Sequence, residues 1–196
     1  VTSIGGGPIG GGWAAHFLAR GYDVTLYLHD PKELPAFKAI LETAWVSLTS
    51  LGLAPGASLD RLRIVHDIEE AMRDAHFIQE SAPENLAMKQ ALYKTLGAIA
   101  PAGVVIGSST SGLTMTDIQA ECATPGRTVI GHPFNPPYLL PLVEIVGGKQ
   151  TDPEAVRWAG EFYKIAGKAP LLMKKEVPGF VATRLQEALW REALHM

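Results

Sequence analysis

Short apolar segments alternate with longer amphipathic segments along the first half of the chain. Apolar runs of this length are typical of buried strands, and the amphipathic stretches between them are typical of helices. The predicted strands are residues 1–4, 24–28, 62–65, 77–79 and 104–107, and the predicted helices are residues 9–20, 32–51, 69–74 and 86–100. Because strands and helices alternate, the pattern predicts an α/β fold whose mostly parallel sheet is covered by helices on both faces.

The pattern changes beyond residue 126. Further strands are predicted at 128–131, 142–146 and 170–173, and further helices at 154–166 and 179–196. The spacing of Phe180, Leu185, Leu189 and Leu194 places them near one face of the last helix. An apolar helix face needs a surface to pack on, and the segment has no C-terminal stop signal. We therefore expect a longer native chain, in which a second, helical domain follows.

The charge, cysteine content and apolar content of the chain limit the kinds of partner that we expect. The chain has 196 residues, a formal net charge of −3 and one cysteine, Cys122. This charge balance does not predict a nucleic-acid-binding surface. One cysteine cannot form a disulfide within the chain, which fits a reducing cytoplasm. No apolar run approaches the roughly 20 residues that cross a bilayer, so no membrane partner is expected. No metal site is expected either.

A glycine-rich loop directly follows the first predicted strand. Gly5, Gly7 and Gly10 match the G-x-G-x-x-G pattern, and Pro8 and Ile9 lie between the last two glycines at the start of a helix. In such loops the first glycine makes the tight turn, the second lets the backbone approach a pyrophosphate, and the third allows close packing of helix and strand. The N–H groups of the helix N-terminus bind the phosphates. The strand–loop–helix–strand context predicts a dinucleotide site rather than a turn without a ligand.

The choice between NAD and NADP depends on an acidic residue about 20 residues after the glycines. Asp30 lies at that distance from Gly10, although the apolar strand ends at Leu28. No arginine lies nearby to bind a 2′-phosphate, and Lys32 is the one close cation. The sequence therefore predicts NAD as the cofactor, with Asp30 as its ribose contact.

A histidine and a buried carboxylate are the candidate catalytic pair. His132 begins a proline-rich loop, and Glu144 lies within the apolar segment LVEIV, where an unpaired carboxylate is costly. A carboxylate that accepts one ring N–H leaves the other ring nitrogen as a base. The alternatives are a structural histidine and a glutamate that caps a loop or pairs with an arginine. The other five histidines are expected to be structural or exposed.

Five segments together resemble the 3-hydroxyacyl-CoA dehydrogenase family. They are the glycine loop and the segments QESAPENLAMK, SSTSGL, HPFNPPYLLPLVEIVGG and KEVPGFVATRLQEAL, in the family's order. The resemblance implies a Rossmann-like NAD-binding domain over residues 1–177. It further implies that residues 178–196 begin an all-helical domain through which the protein forms a homodimer.

The resemblance also implies roles for individual residues. Three of them form the catalytic set: His132 as the base, Glu144 as its orienting carboxylate, and Ser111 as the donor to the substrate oxygen. Cofactor contacts are implied for Glu84, Lys89 and Ser109. Substrate contacts are expected from Ser111, Phe134, Asn135 and Thr183. Two positions depart from the family's pattern, because Leu28 replaces the ribose acid and Thr183 replaces an asparagine.

The implied reaction is the oxidation of a 3-hydroxy group to a 3-keto group, with NAD as the oxidant. L-carnitine, 3-hydroxyacyl-CoA and L-gulonate all carry the reacting unit. Residues 39–60 contain no lysine or arginine that could attract the polyanionic CoA. The segment LQEALWREAL is similar to that of the family's carnitine-oxidising members. We therefore expect L-carnitine, with Phe134 and Tyr138 as candidates for an aromatic cage around its quaternary ammonium.

Two non-enzymatic functions remain open at this point, a crystallin-like role and an NAD-sensing role. The combination of Ser111, His132 and Glu144 favours an enzyme, since neither alternative requires it.

Overall fold

The fold alternates strands and helices for most of its length. The computed structural model describes residues 1–196. The strands are β1 Thr2–Ile4, β2 Val24–Tyr27, β3 Leu62–Val65, β4 Phe77–Glu80, β5 Val105–Ser108, β6 Thr128–Pro133, β7 Leu142–Gly147 and β8 Ala169–Leu172. The helices are α1 Pro8–Ala19, α2 Leu34–Leu51, α3 Ile68–Met72, α4 Leu86–Ile99, α5 Met115–Ile118, α6 Pro153–Ile165 and α7 Ala182–His195.

All eight strands form one sheet in the order β3-β2-β1-β4-β5-β6-β7-β8. Every neighbouring pair is parallel except β6 and β7, which are antiparallel. The six strands from β1 to β6 therefore end at one edge of the sheet, where ligands bind in open α/β folds. The predicted fold class, a mostly parallel Rossmann-like sheet, is confirmed.

The apolar core divides between the two faces of the sheet. One cluster contains Trp13 and Phe17 of α1, Phe37 of α2 and Tyr163 of α6. The other cluster includes Met72 of α3, Tyr93 of α4 and Met115 of α5. The sheet is thus covered by helices on both sides, as the alternation predicts. None of these helices has the length and apolarity that crossing a membrane would require.

The last helix differs from its prediction. It begins at Ala182 rather than at residue 179, and Phe180 precedes it with a φ of 50°. Phe180 is fully buried, whereas Leu185, Leu189 and Leu194 are exposed. Phe180 therefore does not share the apolar face of α7. The physical reason is the turn at Gly179 and Phe180, where both residues take positive φ before the helix starts.

Two smaller differences concern short helical turns. The helix predicted from residue 32 is a 3-10 turn, Pro31–Glu33, followed by α2 from Leu34. The short α5 was not predicted, because its single turn is too brief to show a helical period.

Polar side chains are buried between α6 and the centre of the sheet. The Tyr163 hydroxyl donates to Gln79 Oε1 at 2.6 Å, and Gln79 Nε2 donates to Ser109 Oγ at 2.8 Å. Burial raises the pKa of Tyr163, although its bond to Gln79 acts in the opposite direction. This chain of hydrogen bonds links a helix of the core to a residue at the edge where the strands end.

Replacing Tyr163 by Phe should lower the free energy of unfolding by about 1–3 kcal/mol, because Gln79 Oε1 would lose its donor within the core. Urea unfolding followed by circular dichroism measures the change. Tyr22→Phe is the matched control, since the Tyr22 ring lies at the rim of the same aromatic cluster. Equal stability of Y163F and the wild type would show that the bond does not stabilise the fold.

Candidate active site

The glycine loop follows β1 and leads directly into α1. Gly5 has a φ of +95°, and a Cβ atom at Gly10 would lie 2.1 Å from the Gly5 carbonyl oxygen. Only glycine is compatible with these two positions. A Cβ atom at Gly7 would meet no atom within 4 Å, so the backbone there faces open space. The first turn of α1 presents unbonded N–H groups toward that space.

A groove of about 550 Å³ runs beside this loop. Gly5, Gly7, Pro8 and Ile9 form one wall of the groove. Gly7 has no side chain, so a pyrophosphate can approach the backbone there. The N-terminus of α1 provides N–H groups that can bind it. The residues of the groove therefore fit a dinucleotide.

Asp30 does not line the groove, so its contact with the ribose stays a prediction. Its carboxylate accepts the Lys32 N–H at 2.9 Å and caps the 3-10 turn that precedes α2. Glu33, at the end of that turn, does line the groove. Glu33 Oε2 lies 3.8 Å from the position of a Cβ atom on Gly6. Glu33 is thus the acidic residue beside the glycine loop.

A second cavity, of about 760 Å³, adjoins the groove through Ile9, Ser81 and Ala82, which line both. It brings together most of the predicted site residues. These are Glu84, Lys89, Ser109, Ser111, His132, Phe134, Asn135 and Thr183. Groove and cavity together form one continuous surface along the edge where the parallel strands end.

His132, which lines this cavity, forms a buried pair with Glu144. They lie directly opposite each other in the register of β6 and β7, and His132 Nδ1 is 2.8 Å from Glu144 Oε2. Glu144 Oε1 accepts the Val181 and Ala182 N–H groups, each at 2.9 Å. Burial raises the pKa of Glu144, but the bond from His132 and the two backbone donors outweigh it. The pKa of Glu144 therefore lies below its ordinary value.

Two aromatic rings flank the imidazole of His132. The ring centroids of Phe134 and Phe180 lie 5.1 Å and 5.4 Å from it. Tyr138, the second predicted cage residue, does not line the cavity. Its ring lies near Gly12 of α1 and packs, partly buried, against the apolar core, so its role in an aromatic cage stays a prediction.

Glu84 holds the loop that carries Ser111. Glu84 Oε1 accepts the Thr110 hydroxyl at 2.6 Å, the Ser111 N–H at 3.1 Å and the Gly112 N–H at 3.2 Å. The Ser111 hydroxyl itself lies 3.4 Å from the same oxygen. Glu84 therefore orders the serine loop in addition to facing the cavity, a contact that the spacing of the sequence did not reveal.

Lys89 is almost fully buried and paired with Glu80, a residue that sequence reasoning missed. Lys89 Nζ donates to Glu80 Oε1 at 2.6 Å and to the Ala82 carbonyl at 3.1 Å. Glu80 Oε2 accepts the Ser108 hydroxyl at 2.5 Å. The available signal was Glu80 itself, an acid directly after the apolar run of β4. The pair joins the ends of β4 and β5 to the first turns of α4.

Ser109 Oγ lies 2.8 Å from both Gln79 Nε2 and Ser81 Oγ. On the other side of the cavity, Thr183 and Gln186 of α7 line the wall, three residues apart on one helix face. Gln186 was not predicted, although this spacing from Thr183 could have indicated it.

Comparison with known proteins agrees with this geometry. Residues 1–177 match the family model of the 3-hydroxyacyl-CoA dehydrogenase NAD-binding domain. The whole chain is 60% identical to an L-carnitine dehydrogenase of Streptomyces griseus and covers 58% of that protein. It is 53% identical to an L-carnitine dehydrogenase of Pseudomonas aeruginosa and covers 61% of it. The chain thus spans about three fifths of the length of these curated relatives.

Solved structures show the same fold. A 5-formyl-3-hydroxy-2-methylpyridine 4-carboxylic acid 5-dehydrogenase matches 99% of the chain with a TM-score of 0.91 and 35% identity, and the chain covers 63% of it. The 3-hydroxybutyryl-CoA dehydrogenase of Escherichia coli matches 99% of the chain with a TM-score of 0.88 and 30% identity, and the chain covers 42% of it. The chain therefore belongs to the 3-hydroxyacyl-CoA dehydrogenase family, of which it carries the NAD-binding domain.

Proposed function

We propose that this protein oxidises the 3-hydroxy group of L-carnitine to 3-dehydrocarnitine with NAD as the oxidant. The observation that carries the proposal is the buried pair of His132 and Glu144 beside a dinucleotide groove. The identity of 52–60% to three L-carnitine dehydrogenases supports the choice of substrate. A crystallin-like or sensing protein has no need for a buried, oriented imidazole of this kind.

His132 acts as the general base in this proposal. Its Nδ1 is engaged by Glu144, so the ring proton stays on Nδ1 and the lone pair stays on Nε2. Nε2 takes the proton of the substrate hydroxyl, and the anionic Glu144 stabilises the imidazolium that forms. A base of this kind contributes about 10²–10⁴-fold to the rate. The glycine loop would hold NAD, which would supply the acceptor for the hydride that leaves the carbon of the hydroxyl group.

Ser111 and the aromatic wall position the substrate. Glu84 binds the Ser111 N–H and thereby holds the serine loop at the cavity surface. From this position the Ser111 hydroxyl donates to the substrate oxygen. Phe134 presents a ring beside His132 on which a quaternary ammonium can rest. Lys89, the one lysine or arginine side chain in the wall, is neutralised by Glu80. Asn135 and Thr183 complete the substrate side.

The glycine loop, Ser109, Lys89 and Glu84 face the cofactor, and Glu33 takes the place of the ribose acid. In this proposal the NAD-binding domain of residues 1–177 is followed by a helical domain that begins with α7. The exposed Leu185, Leu189 and Leu194 support a homodimer built through that domain, because an apolar helix face of this kind needs cover. A cytoplasmic location is proposed on the single cysteine alone.

The decisive experiment is a panel of L-carnitine, L-gulonate and 3-hydroxybutyryl-CoA with NAD, followed by NADH absorbance. The chain is assayed alone and fused to the part of the S. griseus relative that it does not cover. We expect turnover with L-carnitine, and His132→Gln should reduce it by at least about 10²-fold.

His132→Gln should leave NADH affinity unchanged, as measured by the fluorescence of bound NADH, because His132 lies outside the glycine-loop groove. Phe134→Leu is a companion variant that should raise KM for carnitine more than it lowers kcat. Reduction of acetoacetyl-CoA by NADH without any carnitine oxidation would reverse the choice of substrate. Retained turnover in H132Q would exclude His132 as the base.

Gly7→Ala should weaken NADH binding by at least about tenfold without destabilising the fold. The new Cβ atom would meet no protein atom, but it would occupy the space that the pyrophosphate needs. NADH fluorescence titration and thermal unfolding measure the two effects. Gly52→Ala, far from the groove and at a positive φ, is the inverse control, because it should lose stability and keep affinity. Unchanged NADH affinity in G7A would place the pyrophosphate elsewhere.

Glu33→Gln should weaken NADH binding and reduce the discrimination against NADPH. A carboxylate beside the ribose accepts its hydroxyl groups and repels a 2′-phosphate. Asp30→Asn is the matched control, since Asp30 caps a turn outside the groove. Titration of both variants with NADH and NADPH gives the affinity ratio. A larger change of the affinity ratio in D30N than in E33Q would show that Asp30 contacts the ribose.

A further inference from the structure

The loop between β6 and β7, residues 134–141, forms part of the cavity wall but has few internal hydrogen bonds. Three of its residues, Pro136, Pro137 and Pro141, have no N–H group to donate. Its internal hydrogen bonds run from the Leu139 and Leu140 N–H groups to one acceptor, the Pro136 carbonyl. Carbonyl oxygens are therefore the main groups by which the rest of the protein can anchor this loop.

Lys168 lies beneath the loop, between α6 and β8. Its ammonium donates to the Pro137 carbonyl and to the Leu140 carbonyl, the latter at 3.2 Å. It also lies 5.0 Å from the ring centroid of Trp13 in α1, a cation–π arrangement. The side chain is buried, with 7% of Lys168 exposed. One cation thus binds two carbonyls of the loop and the face of a core tryptophan.

No carboxylate neutralises this ammonium, since Lys168 takes part in none of the ion pairs of the structure. The nearby ionisable side chains are those of His16 in α1 and Arg20 directly after it, and neither is an acid. Burial, with a contribution from Arg20, lowers the pKa of Lys168 to about 7. Burial, with a contribution from Lys168, lowers the pKa of His16 to about 3, so His16 is neutral. Burying a lysine without an acid is costly, and the loop carbonyls are what offset it.

We propose that Lys168 is a positioning residue of the substrate site, whose ammonium fixes the loop 134–141 and thereby the placement of Phe134 and Asn135. The link to substrate rests on the proposed function, whereas the hold on the loop rests on the contacts of Lys168 alone. The loop follows β6 directly, so its displacement moves the cavity wall beside His132. The glycine-loop groove lies outside the region that Lys168 contacts.

The test is Lys168→Ala with and without n-propylammonium, which reproduces the atoms that the substitution removes. Hydrogen exchange of the loop, with Leu139 and Leu140 as reporters, should become at least about tenfold faster in K168A. n-Propylammonium should restore part of the protection. NADH affinity should stay within about twofold of the wild type, and KM for carnitine should rise more than kcat falls. Lys164→Ala, an exposed lysine of α6, is the control and should change none of these values.

Unchanged loop exchange in K168A, or an unchanged KM together with faster exchange, would overturn the proposal. If K168A does not fold, Lys168→Met keeps the apolar stem and removes the charge, and the same exchange comparison decides the question. Absence of carnitine turnover both in the chain alone and in its fusion would refute the proposed function, but the change in loop exchange and its rescue by n-propylammonium would still test whether Lys168 fixes the loop.

Discussion

The geometry of the site depends on one buried carboxylate, that of Glu144. It is fully buried in a strand of apolar neighbours, where an anion is tolerated only if donors surround it. One oxygen takes the His132 ring N–H, and the other takes the first N–H groups of α7. The carboxylate thus fixes the ring orientation of His132 and the start of α7 at the same time. This arrangement requires the one antiparallel pair in the sheet, because the reversal of β7 brings Glu144 opposite His132.

The same physical solution recurs at the neighbouring strand ends. Glu80 ends β4 and collects donors from Lys89 and Ser108, while Glu84 collects the N–H and hydroxyl groups of the serine loop. In each case a carboxylate in or near a strand accepts hydrogen bonds from other elements of the fold, so these acids connect strands, loops and helices. The cavity wall is therefore held by a network of directional hydrogen bonds, which makes it rigid.

The sequence was informative where the local backbone geometry allows only one residue type. The glycine loop is an example, since Gly5 and Gly10 tolerate no Cβ atom and the pattern states this directly. The sequence was less informative where a side chain also has a nearby hydrogen-bonding or packing partner. Asp30 has the expected distance from the loop, but it caps its own 3-10 turn, and Glu33 faces the groove instead. Phe180 fits a helical spacing, yet the turn before α7 directs its ring to His132, a contact that no periodicity encodes.

The parallel and antiparallel parts of the sheet serve different halves of the site. Two of the parallel strands lead into the glycine loop and the serine loop. Backbone N–H groups and small side chains there let a dinucleotide approach the backbone closely. The β6–β7 pair and α7 supply the imidazole, its carboxylate and the aromatic wall. These elements are joined by buried charges, Glu144 toward α7 and Lys168 toward the loop. Glu144 and Lys168 each need specific partners at fixed positions, whereas Phe134 and Thr183 line the wall without such buried charged contacts.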